Sequence, residues 1–207
     1  MNTILIALII ANVVVSYKGF NDIGFFRKYE FHIGSIRAGE QLRMITSGFL
    51  HADWMHLAMN MYVLWIFAPV VILNLGVVGF IVVYFGSLVF GSLLTLVMHK
   101  NDYSYRAIGA SGAVTGVMYA SILIAPDHGI NFIPGWIFGI VYLLASIYGM
   151  RAKRDNVGHT AHFGGAIGGY VITLMNLPIL FVEHTLEVIL LAIPIIILFV
   201  MERAGKL

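Results

Sequence analysis

From Trp54 to His99 the chain contains no Asp, Glu, Lys or Arg. A membrane-crossing helix needs about 20 mostly apolar residues, so this run is about two helices long. The turn-forming triplet Asn74-Leu75-Gly76 sits near its middle, and Asn and Gly favour a break there. Five further stretches lack formal charge: Asn2–Tyr17, Ala107–Pro126, His128–Met150, Asn156–Val182 and Val188–Met201. Only 11% of the 207 residues are charged, against roughly a quarter in soluble domains. With a mean hydropathy of +0.92, the natural solvent is a bilayer.

These stretches predict an all-α, polytopic membrane bundle with six core spans, near 1–17, 54–75, 77–98, 108–126, 130–150 and 160–179. The segment 188–201, interrupted by Pro194, reads as a seventh span or an interfacial segment. The organisation expected is one membrane domain over 1–182 and a hydrophobic C-terminal extension over 183–207. No Lys or Arg precedes the apolar run Ile4–Val15, and no convincing small-x-small cleavage site follows it. It therefore reads as a retained first span rather than a signal peptide. Net charge is +2 with no cysteine, which gives no case for nucleic acid and excludes disulfide and thiolate chemistry. The one long polar connection, Tyr17–Phe49, is expected to have structure or function of its own.

Polar groups inside spans are costly and therefore informative. Three clusters stand out: His51-Ala-Asp-Trp-Met-His56-Leu-Ala-Met-Asn60, Gly109-Ala-Ser111-Gly112, and His159-Thr-Ala-His162-Phe-Gly-Gly165. They open spans two, four and six, which run in the same direction. His56, Asn60, Ser111 and His162 are thus expected on one side, at similar depth. Each cluster alone also fits a plainer account. Small residues pack helices closely, and a histidine or asparagine can satisfy loop backbone. Three such coincidences at one depth are harder to accept.

The order and spacing of these motifs resemble the rhomboid family of intramembrane serine proteases. The matching stretches are Arg43 through Asn60, Gly109 through Gly112, and Ala161-His162-Phe-Gly-Gly165-Ala-Ile-Gly-Gly169. The resemblance implies Ser111 as nucleophile and His162 as general base. It implies His56, Asn60 and Gly109 around the oxyanion, and His51, Arg43, Gly165 and Gly169 as structural support. Leu42 stands where the family carries a tryptophan before Arg43. Thr115, one turn after Ser111, stands where many members place an aromatic ring beneath the histidine. The resemblance also implies transmembrane protein substrates admitted from the bilayer, with span five and the loop Arg151–Thr160 as mobile elements. A multi-pass protein of a bacterial cell (inner) membrane is expected, with its oligomeric state open.

A serine hydroxyl needs a base within hydrogen-bond reach, and a neutral imidazole suits that role. No carboxylate is evidently placed to orient His162. A Ser-His dyad is the simplest reading, with Asp155 and Asp53 as remoter candidates for a third member. Gly165 and Gly169 share a face with His162 and would let span six press on span four. No metal or cofactor is called for. A metal or haem site on His51, His56, His159 and His162 would leave Ser111 without a role. A catalytically inactive chaperone or adaptor is the other alternative, but such relatives usually lack the serine or the histidine. Ten of the 12 Lys and Arg follow spans one, three and five. The positive-inside rule puts that side in the cytoplasm, whereas the resemblance puts the active-site side outside.

Overall fold

The computed structural model describes residues 2–130, 132–152 and 158–206. Helix α1 covers Thr3–Asn21 and is capped by the Asn2 side chain, which accepts from the Ile4 amide at 3.0 Å. It runs four residues beyond the expected span. Asp22 ends it and caps α2, Ile23–Tyr29, accepting from the Phe25 amide at 2.9 Å. The rest of the first connection folds into a short strand β1 (Phe31–His32), α3 (Ile33–Arg37), α4 (Arg43–Thr46) and one 3₁₀ turn at Ser47–Phe49. The expectation of structure within this connection is met. Arg43 pins it by donating to the carbonyls of Arg27 (2.7 Å) and Glu30 (3.1 Å) and pairing with Glu40. Leu42 is 76% exposed, so the departure at that position leaves no hole.

Helix α5 covers Trp54–Met98, capped by Asp53. Its 45 residues would measure about 68 Å if straight, more than twice the ~30 Å hydrocarbon core. It is broken at Gly76, whose φ of 69° and ψ of 179° leave the helical region, a conformation that glycine adopts without a Cβ penalty. The second half returns alongside the first. Ser92 Oγ donates at 2.7 Å to the Met44 carbonyl, ahead of the helix start. The Asn-Leu-Gly triplet thus marks the break, made by a single residue.

Strand β2 (Arg106–Ala107) pairs antiparallel with β1, Phe31 opposite Ala107. It delivers the chain to α6, Ser111–Ile124. Then follow α7 (Gly135–Ala152), α8 (His159–Asn176), α9 (Leu180–Glu183) and α10 (Thr185–Arg203). Helix α6 starts three residues later than the expected span, because Ala107 belongs to β2 and Gly109 turns the chain. Among the described residues α1, α5, α7 and α10 are long and apolar enough to cross a membrane. Segment 188–201 lies within α10, which joins the bundle. The Tyr170 hydroxyl donates to the Val188 carbonyl at 2.9 Å, and Leu191 packs on Gly139.

At the centre α6, α8 and the second half of α5 pack against one another. Twelve of the 14 residues of α6 are buried. Lipid is as apolar as leucine, so helices in it associate through close packing of small residues. A Cβ on Gly165 would strike the Gly112 carbonyl, and one on Gly169 the Gly116 carbonyl. On its other side, Gly168 lies against Ser87 and Gly164 against Gly91. Large apolar side chains such as Leu73, Val78 and Val141 point outward instead, which is why these spans show no polar face.

Candidate active site

Ser111 is the first residue of α6 and Ala110 caps it without a side-chain bond. The first intrahelical donor is Val114, to the Ala110 carbonyl at 2.9 Å. The amides of Ser111, Gly112 and Ala113 therefore belong to the unpaired first turn, where the helix dipole favours negative charge. The preceding turn is fixed by two contacts from the first connection. The Gly109 amide donates to the Ser47 carbonyl at 3.0 Å, and the Ala110 amide reaches His51 Nε2 at 3.4 Å. Gly109 has φ 115°, and a Cβ there would meet the His56 ring at 2.8 Å. Both its backbone and the nearness of His56 call for glycine.

His51 is fully buried. Ser16 Oγ lies 2.9 Å from the Phe49 carbonyl, which can only accept, and 2.8 Å from His51 Nδ1. The Ser16 proton goes to the carbonyl, so His51 donates from Nδ1 and leaves Nε2 to accept from Ala110. Burial holds this imidazole down to about 3, with the neighbouring His56 acting in the same direction. His51 is thus a neutral strut between α1 and the serine turn.

His56 lies one turn into α5. The Ala52 amide donates to its Nδ1 at 3.3 Å, which places the proton on Nε2, the edge lying against Gly109. Asn60, one turn on, is 7% exposed and donates from Nδ2 to the His56 carbonyl at 2.9 Å. His162 on α8 is also 7% exposed. The Gly112–Gly165 contact brings its helix against α6, and the Ala161 carbonyl lies 3.0 Å from where a Cβ on Gly112 would sit.

Ser111, His162, His56 and Asn60 line one cavity of about 800 Å³, together with Tyr142 and Thr115. Residues from α5, α6 and α8 thus border a single cavity. Gly165 and Gly169 form the seam behind them. Arg43 stands away from the cavity, holding the first connection. Asp53 also lines the cavity, but its Oδ1 accepts from the His56 amide at 2.8 Å as the α5 cap. Asp155 falls outside the described residues, as does much of the loop 151–160. His51 and His56 form one ring pair at 4.9 Å, and His159 and His162 another at 5.9 Å. No cluster of three or more metal-ligating side chains occurs among the described residues.

Two contributors were missed in the sequence. Ser16 sits at the polar end of α1 and carries no motif. Tyr142 sits in the middle of α7, where one aromatic among many gives no signal. Its hydroxyl lies 3.0 Å from His162 Nδ1, and the rings stack at 5.6 Å and 29°.

The model of the rhomboid domain matches residues 38–179. A Bacillus subtilis (strain 168) protein named "Putative rhomboid protease YdcA" is 32% identical over 145 residues, covering 66% of this chain and 68% of its own length. RHOMBOID-like protein 12, mitochondrial, of Arabidopsis thaliana is 25% identical over 185 residues, covering 79% of this chain and 55% of its own. Rhomboid protease GluP of Bacillus subtilis is 29% identical over 135 residues, covering 65% of this chain and 26% of its own. The chain thus spans about two thirds, half and a quarter of these relatives. It belongs to the rhomboid family, and with its apolar helices it is an integral membrane protein.

Proposed function

We propose that this chain is an intramembrane serine endopeptidase that hydrolyses peptide bonds in or near transmembrane segments of other membrane proteins. The observation that carries the reading is the cavity shared by Ser111 and His162, with His56 and Asn60 on its wall. Ser111 Oγ attacks the carbonyl carbon while His162 takes its proton. The resulting oxyanion meets the Ser111 amide, His56 Nε2–H and the Asn60 side-chain amide. One such donor is worth roughly 3–4 kcal/mol in the barrier. His162 then protonates the leaving amine, and water resolves the acyl-enzyme by the same steps. The chemistry is complete without a metal or cofactor. A bacterial cell membrane is the proposed location, and transmembrane substrates are the proposed partners.

The test is a fluorophosphonate label on the purified protein in detergent, with cleavage of a reporter transmembrane substrate in vesicles. Labelling and cleavage by the parent, both lost in Ser111→Ala and in His162→Ala, are expected. A folded parent that takes no label and cleaves no substrate would overturn the reading and favour a non-proteolytic adaptor.

A further inference from the structure

We propose that Thr115 and Tyr142 form a hydroxyl relay that fixes the tautomer of His162, making Tyr142 a positioning residue supplied by α7. The catalytic use of this relay rests on the protease reading; its existence rests on three contacts.

Thr115 Oγ1 lies 2.7 Å from the Ser111 carbonyl oxygen. A carbonyl only accepts, so the single Thr115 hydroxyl proton is directed there. Tyr142 Oη lies 3.3 Å from the same Thr115 oxygen, and in that contact Tyr142 must be the donor. Its own proton is then engaged, so towards His162 Nδ1, 3.0 Å away, the phenol oxygen accepts. Nδ1 therefore carries the imidazole proton. A neutral imidazole has only one, so Nε2 is the unprotonated nitrogen. That is the tautomer a general base for Ser111 needs, and in serine triads an aspartate enforces it. Here two hydroxyls do so, and the relay ends on the backbone of the serine residue itself.

The arrangement also explains the departure at Thr115. Threonine leaves room for a ring from outside α6, and Tyr142 fills it, stacked on the histidine. Orientation of the base then depends on where α7 sits, because Tyr142 on α7 bonds to His162. During acyl transfer Nδ1 keeps its proton. Only Nε2 gains one from Ser111 and returns it to the leaving group.

Two measurements test the relay. The first is cleavage kinetics in vesicles for Thr115→Val, Tyr142→Phe, their double variant and Thr115→Ser. Each of the first two removes one hydroxyl at nearly constant shape. Each is expected to lower kcat about ten- to hundredfold with little change in KM, as for other losses of catalytic positioning. The double variant should be no worse than the poorer single one, because one relay is broken in both. Thr115→Ser, which restores the hydroxyl, should recover most of the loss in Thr115→Val. The second is the ¹⁵N spectrum of histidine-labelled protein in micelles, with His162 identified by its absence in His162→Ala. A protonated Nδ1 is expected in the parent, with mixed tautomers in Tyr142→Phe. A protonated Nε2 in the parent, or an active parent whose single variants keep full kcat, overturns the relay. If the parent neither labels nor cleaves, the protease reading fails, and the spectrum alone decides whether the relay exists.

Discussion

The two walls that meet at His162 are built differently. Towards α6, helix α8 makes backbone-to-backbone contact through Gly112, Gly116, Gly165 and Gly169. Towards α7, it meets side chains such as Tyr142. Twelve of 14 residues are buried in α6 but only five of 18 in α7. A glycine seam has no rotamers to adjust, so it sets the separation of serine and histidine rigidly. A wall of side chains can shift by changes in their torsions. In the proposed mechanism the separation of Ser111 and His162 is therefore assigned to one wall, and the orientation of the His162 imidazole to the other.

Substitution along the seam should have the largest effect. Gly165→Leu drives a side chain into the Gly112 carbonyl, and overpacking of this kind costs about 1–3 kcal/mol, sometimes more. Cleavage is expected to vanish, with a clear drop in the thermal midpoint in detergent. Full activity in a well-folded Gly165→Leu protein would break the comparison. Gly109→Ala should come next. It forces alanine to a φ of 115° and against His56, at a cost of about 1–3 kcal/mol. Cleavage should fall more steeply than stability, since the serine turn moves first.

His51 offers a sharper test because it acts through pH. Its imidazole is near 3 in the folded protein and 6.5 when unperturbed. Between these values the unfolded chain binds the proton and the folded chain does not. The His51 contribution is thus intact above about pH 6.5 and declines as pH falls towards 3. The thermal midpoint should drop across this window, and His51→Gln should flatten that part of the profile. An unchanged slope in His51→Gln would count against the strut. The smallest effect is expected on the outer face of α7. Leu144 is 42% exposed, and Leu144→Ala should shift stability by less than about 0.5 kcal/mol with cleavage retained.

Much of this contrast was readable from the residues, for reasons that differ by wall. His56, Asn60, Ser111 and His162 stand out because ionisable and amide groups are conspicuous in apolar spans, and span parity puts them at one level. Glycines at i+3 and i+7 from His162 declare the seam. Tyr142 could not be read. An aromatic residue within an apolar helix reads as lipid-facing or core, and only the position of its hydroxyl distinguishes it. Nor could the late start of α6 at Ser111 be seen, since Arg106 and Ala107 pair with residues about 75 positions earlier. Non-local pairing of this kind leaves no periodic mark.

The single-residue reversal at Gly76 has a practical consequence. A Cβ at that position would meet nothing within 4 Å, and the flanking Leu73 and Val78 are 85% and 74% exposed. His56 and Asn60 lie 16 to 20 residues away along the helix, so the bend caps the end of the hairpin remote from the cavity. An epitope inserted after Gly76 should leave both halves of α5 paired. Antibody access to it in intact cells, compared with permeabilised ones, reads out which compartment the cavity faces.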